Sequence, residues 1–137
     1  MATHLIDKSA WARLHHLAVI EKWQAEVTSG RVAVTGIGML EVLISSTSTR
    51  DFAEGRFELM GMPRVAITEQ IIERAIEVQG QMVGRGTHRA PSPADLILAA
   101  CAEANGLSVL HYDHDFDLIA DVTEQSMEWV VPAGSIP

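Results

Sequence analysis

The stretch that most constrains this chain is Ser92–Ala120, SPADLILAACAEANGLSVLHYDHDFDLIA. Ser92 suits a helix N-cap, Pro93 the first helical position, and Gly106 the left-handed residue that ends a helix. Leu96 to Ala104 is almost wholly apolar, which predicts a buried helix. Ser108–His111 then reads as a short strand. Asp113, Asp115 and Asp117 crowd its exit, and Asp95 stands at the start of the helix before it. Carboxylates gathered at the end of a buried strand are costly unless a cation joins them. A divalent metal is the expected cation.

Charge is distributed in keeping with that reading. Through Arg89 the chain carries ten acids and ten bases; after Arg89 it carries eight acids and no Lys or Arg. The net charge of −8 therefore arises entirely in the last third. Solubility accounts for such an excess as well as a carboxylate-rich pocket does. The acidic total excludes a general nucleic-acid coat, which needs a basic surface. An enzyme that grips nucleic acid through a metal and a few arginines stays open.

The 137 residues suit one domain with one core, 1–137, with Pro132–Pro137 expected as a flexible tail. Asp7 and Lys8 interrupt any leader-like run, and no apolar run approaches the ~20 residues of a membrane span. The single cysteine, Cys101, falls inside the apolar helix and reads as a core residue. A cytoplasmic protein is expected.

Short strands alternate with helices along the chain. His4–Ile6 ends in Asp7. Helical patterns follow from Ser9 to Ala18 and from Ile20 to Val27, closed by Ser29-Gly30. Arg31–Val34 is extended. Thr35 caps a helix over Ile37–Ser46, and Ser45–Thr49 is a polar break. Asp51–Met60 is helical, Val65–Ile67 is extended, and Thr68 caps a helix from Glu69 to about Val83. A basic loop from Gly84 to Pro91 leads to the organising helix and strand. Leu118–Val122 turns back, and Met127–Val131 is a last strand. This alternation predicts an α/β fold: a doubly wound sheet of short, mostly parallel strands with helices on both faces. Ligands of such sheets bind beyond the carboxyl ends of the strands. Asp7 and Asp113 each follow a strand and are expected to meet there.

Each acid has a bland alternative. Asp7 suits the N-cap of the next helix equally well. Glu41 shares a helical row with Ile37, Gly38, Ile44 and Ser45, so either a base pairs with it or a metal draws it in. Asp95 falls where a capping box places an acid and is able to cap and bind at once. At least one of Asp113, Asp115 and Asp117 should cap the short helix that follows. Convergent carboxylates suit Mg²⁺ or Mn²⁺, hard ions that prefer oxygen. Ser9 has no base at readable spacing and reads as a hydrogen-bonding support for Asp7. His15, His16, His111 and His114 rank below the acids as ligands.

Four segments together resemble the PIN-domain ribonucleases of the VapC toxin type. Leu5-Ile6-Asp7-Lys8-Ser9-Ala10 resembles that family's opening, Leu40-Glu41 its internal acid, and Pro93–Ala100 its third acidic motif. His111–Ala120 resembles its fourth, with Asp113 as the fourth acid and Asp115 as helper. The resemblance spans essentially the whole chain, in the family's order. It implies a PIN-like nuclease fold and a Mg²⁺- or Mn²⁺-dependent endoribonuclease that hydrolyses phosphodiesters of tRNA, rRNA or mRNA. It also implies a homodimer and a VapB-type antitoxin partner. On this reading Asp7, Glu41, Asp95 and Asp113 are catalytic, and with Asp115 they hold the metal. Lys8, Arg13, Arg85 and Arg89 are candidates for RNA phosphates. Trp11, Leu14, Leu17, Ile20 and Trp23 exceed what two short helices need for one core, so an antitoxin segment is expected in a groove beside them; the alternative is that they are all core or form only the homodimer contact.

Two rivals belong to other classes. A catalytically silent PIN-like binding module would keep the fold and only recruit a partner; the presence of all four acids argues against it. An acidic α/β phosphoacceptor signalling domain would need a lysine at the end of a late strand, and no Lys or Arg follows Arg89.

Overall fold

The computed structural model describes all 137 residues. In chain order the elements are β1 (His4–Ile6), α1 (Lys8–Trp11), α2 (Leu17–Thr28), β2 (Val32–Thr35), α3 (Gly36–Leu43) and α4 (Thr49–Met60). They continue with β3 (Arg64–Val65), α5 (Glu69–Arg85), α6 (Pro93–Ala104), β4 (Ser108–His111), α7 (Asp115–Thr123) and β5 (Met127–Trp129). The five strands form one sheet in the order β3-β2-β1-β4-β5, and every pairing is parallel.

Alternate residues of the central strands feed two cores, as a sheet covered on both faces requires. Leu5, Ala33 and Val109 point to α5, α6 and α7 and pack with Met82, Leu96, Phe116 and Ile119. Ile6, Val32, Val34 and Leu110 point the other way and pack with Ala10, Val19, Trp23, Met39 and Leu59. The organising helix forms as its sequence dictates. Ser92 Oγ accepts from the Asp95 N–H, the Asp95 carboxylate accepts from the Ser92 N–H, and Pro93 is at the first position. Gly106 has a φ of +65° after its end, a conformation that costs glycine little.

Two expectations need correction. The helical pattern from Ser9 breaks earlier than its periodicity indicates. Asp7 caps only the single turn of α1, and Ala12–His16 forms turns bonded to carbonyls three residues back before α2 begins. Leu118–Val122 is not a turn but the middle of α7. The expected tail, Pro132–Pro137, makes contacts with the rest of the fold. Val131 is buried, Ile136 packs on the second core, and the Tyr112 hydroxyl donates to the Ile136 carbonyl (2.7 Å) and accepts from its N–H (3.1 Å). The Arg13 guanidinium lies over the Tyr112 ring, 4.3 Å from its centroid, and donates to the Pro137 carbonyl. Nothing in the composition of Pro132–Pro137 signals these partners, because they come from residues more than twenty positions away.

Candidate metal centre

The strand order reverses direction around β1 and β4: β2 and β3 lie on one side, β5 on the other. This is the switch point of the sheet, where the carboxyl ends leave a crevice. Asp7 follows β1 there, and its N–H donates to the Leu110 carbonyl of β4 (2.9 Å), which holds the two strand ends together. Asp113 follows β4 by one residue, and the N-terminus of α6 brings Asp95 to the same place. Carboxylate oxygens of Asp95, Asp113 and Asp115 all lie within 4.8 Å of one another.

Each carboxylate is held from behind. One Asp7 oxygen accepts from the Ser9 N–H (3.0 Å) and hydroxyl (2.5 Å). The Ser9 hydroxyl oxygen in turn accepts from the Tyr112 N–H at 2.8 Å, which ties the first acidic segment to the last. Asp95 is fixed by its capping box, and Asp113 accepts from the Asp115 N–H at 2.9 Å. His111 is fully buried, and its Nδ1 accepts from the Asp113 N–H at 3.2 Å. That contact assigns the proton to Nε2. Burial pushes the His111 imidazole below its ordinary value, against the pull of Asp117, Asp7 and Asp113.

Electrostatically the cluster is under-compensated. Burial pushes the Asp95 carboxyl from its ordinary 3.8 up to about 6; the charges of Asp7 and Asp113 add to the rise, and hydrogen bonding to Ser92 opposes it. Asp115 is also raised, by burial first and then by Asp113. Carboxylates crowded without a base between them, one buried and two half-buried, match the donor set of a hard divalent cation.

The remaining residues are placed as follows. Glu41 lies outside the group of three; it is bonded to Lys8, whose Nζ is 2.8 Å from Glu41 Oε2. That bond raises the Lys8 ammonium above its ordinary 10.5, despite some burial. The row that shares its face is not buried: Ile44 is 84% exposed, so the argument that Glu41 needs a partner in an apolar row fails on this point. Asp117 pairs instead with His114 at the surface (3.2 Å). Arg13 donates to the Ser9 and Pro137 carbonyls and lies over the Tyr112 ring. Arg85 and Arg89 are exposed, and Arg89 stands three residues before the cap of α6.

The expected antitoxin surface is partly core. Trp23 is 3% exposed, and its indole N–H donates to the Val130 carbonyl at 2.7 Å. Trp11 and Leu14 pack against the second core. Leu17 is exposed, and Leu14 and Ile20 rim a depression of about 280 Å³ on α2. Periodicity marks which residues share a face but not which face the sheet covers. The larger exposed apolar residues lie elsewhere, on α3 and α4: Leu40, Ile44, Phe57 and Met60. No helix is long and apolar enough to cross a membrane.

A family model described as "PIN domain" matches residues 5–122. The chain is 44% identical over 128 residues to Ribonuclease VapC2 of Mycobacterium tuberculosis, covering 90% of this chain and 89% of that protein. It is 35% identical over 136 residues to Ribonuclease VapC18 of the same species, covering 96% and 97%. Among solved structures it resembles the DNA-bound VapBC of Salmonella typhimurium, with a TM-score of 0.79 at 17% identity over 96% of this chain and all of that one. It also resembles M. tuberculosis VapC20, described as a sarcin-ricin loop cleaving toxin, with a TM-score of 0.65 at 17% identity over 84% of this chain and 93% of that one.

Proposed function

Because this chain belongs to the PIN-domain family, among its VapC ribonucleases, we propose that it is a divalent-metal-dependent endoribonuclease and the toxin of a VapBC-type pair. The observation that carries the reading is the meeting of Asp95, Asp113 and Asp115 within 4.8 Å at the sheet's switch point. A silent binding module has no use for carboxylates held together in mutual repulsion. A phosphoacceptor domain lacks its late lysine: β4 and β5 are followed by no base.

Asp95, Asp113 and Asp115 would hold the metal, with Asp7 beside them and Glu41 able to join. When bound, Mg²⁺ or Mn²⁺ supplies Lewis-acid stabilisation of the charge that builds on a phosphodiester under attack by water, and lowers the pKa of that water. The chain's own groups do the positioning. The capping box fixes one Asp95 oxygen and leaves the other for the crevice. Ser9 does the same for Asp7, and the Asp115 N–H for Asp113. His111 sets the backbone turn that carries Asp113. The exposed Arg85 and Arg89 would bind RNA phosphates, which position a strand without reading its bases. An antitoxin would cover apolar surface left exposed, including Leu17 on α2 and the α3–α4 residues.

The test is growth on induced expression without a partner. The parent should arrest growth, and Asp7→Ala at equal abundance should not. Equal toxicity of the two would overturn the catalytic reading.

A further inference from the structure

Glu41 is the one acid of the four motif segments that pairs with a lysine or arginine. Lys8 Nζ is 2.8 Å from its Oε2, and Glu41 makes no other side-chain hydrogen bond. The pair links two elements that the fold brings side by side, the first residue of α1 and the middle of α3. Lys8 follows Asp7 in the chain, and its ammonium, bonded to Glu41, is also within reach of the charges of Asp7 and Asp95. The side chains are 49% and 26% exposed. A cleft of about 460 Å³, lined by both together with Ser9, Arg13 and Ser45, opens beside them. There is therefore room for either group to move.

We propose that Lys8 is a positioning residue that restrains Glu41 outside the carboxylate group until a metal loads, and then exchanges partners. The inference rests on the metal reading of the crevice. Three carboxylates without a base favour a dication over a monocation, so an arriving dication competes with Lys8 for Glu41. A lysine suits such an exchange better than an arginine. Its ammonium is a point charge on a flexible stem with no bidentate grip to break, and it is free to turn to a phosphate once released. The charge that neutralises Glu41 before loading would then face the RNA backbone only after loading.

The experiment is calorimetric titration of the metal-free protein with Mn²⁺, with no RNA present. Lys8→Met removes the restraint and should bind Mn²⁺ about five-fold more tightly, the scale of a half-exposed ion pair. Lys8→Arg keeps the pair and should bind like the parent. In a Glu41→Gln background the Lys8→Met gain should shrink below about two-fold, because no restrained ligand remains to release. Thermal melts of the metal-free variants check that each is folded. Unchanged or weaker binding by Lys8→Met would overturn the exchange, as would a five-fold gain that persists with Glu41→Gln, which would make Lys8 a plain repelling charge. A parent that takes up no Mn²⁺ would overturn the metal reading itself, and the exchange with it.

Discussion

Asp95→Asn is expected to make the metal-free protein more stable at pH 7 while lowering RNA cleavage by about 10²–10³-fold. Asparagine keeps the shape of aspartate and a carbonyl that accepts from the Ser92 N–H, so the α6 cap survives. What disappears is a buried charge facing Asp7 and Asp113. The folded protein holds the Asp95 proton more tightly than the unfolded chain does. The Asp95 contribution to stability is therefore complete below the ordinary 3.8 and is lost as pH rises through about 6. That rise is worth on the order of 2–3 kcal/mol at neutral pH, at about 1.4 kcal/mol per pKa unit. Urea unfolding in EDTA should show Asp95→Asn gaining on the parent between pH 5 and pH 7; the buried His111, whose lowered imidazole favours the fold as pH rises, is common to both and drops out of the difference. An advantage of the variant that does not grow from pH 5 to pH 7, or a variant less stable than the parent at pH 7, would contradict it. The result would mean that the crevice is kept at the expense of the apo fold, as expected where a bound cation normally offsets the repulsion.

The second large effect lies at Trp23. Truncation to alanine removes a buried indole beside His4 and leaves the Val130 carbonyl without its donor. Such losses cost about 3–5 kcal/mol, a large share of a small domain's stability. Leu17→Ser, on the exposed side of the same helix, should stay within about 0.5 kcal/mol of the parent. Chemical denaturation of both variants separates the two faces of α2. Loss of under ~1 kcal/mol in Trp23→Ala would return Trp23 to the surface role read from the periodicity. Antitoxin binding should therefore be probed at Leu17 and the exposed α3–α4 residues, not at Trp23.

Much of this was legible because it obeys local rules. Ser92, Pro93, Asp95 and Gly106 announce a capped helix by residue type and spacing alone, and the structure builds it as they indicate. The alternation of strands and helices implies parallel pairing, and parallel pairing brings Asp7 and Asp113 to one end of the sheet. What was not legible depends on partners far along the chain. Lys8 and Glu41 are 33 residues apart, and either is equally at home in water. Tyr112 meets Ile136 across 24 residues. Asp115 read as a helper to Asp113, yet its oxygen shares the cluster with Asp95; only the turn into α7 decides which way it faces. Nothing in the neighbourhood of Arg13 names Pro137 as its acceptor.

The central claim is that the acids at the switch point form one metal centre that cleaves RNA. Its most direct measurement is Mn²⁺ titration of the purified protein and of Asp113→Asn, each followed by incubation with RNA in Mg²⁺ or in EDTA. The account predicts that the parent binds Mn²⁺ and cleaves only with a divalent ion, and that Asp113→Asn binds at least about ten-fold more weakly and does not cleave. Cleavage by the parent in EDTA, or parent-like Mn²⁺ affinity in Asp113→Asn, would contradict it.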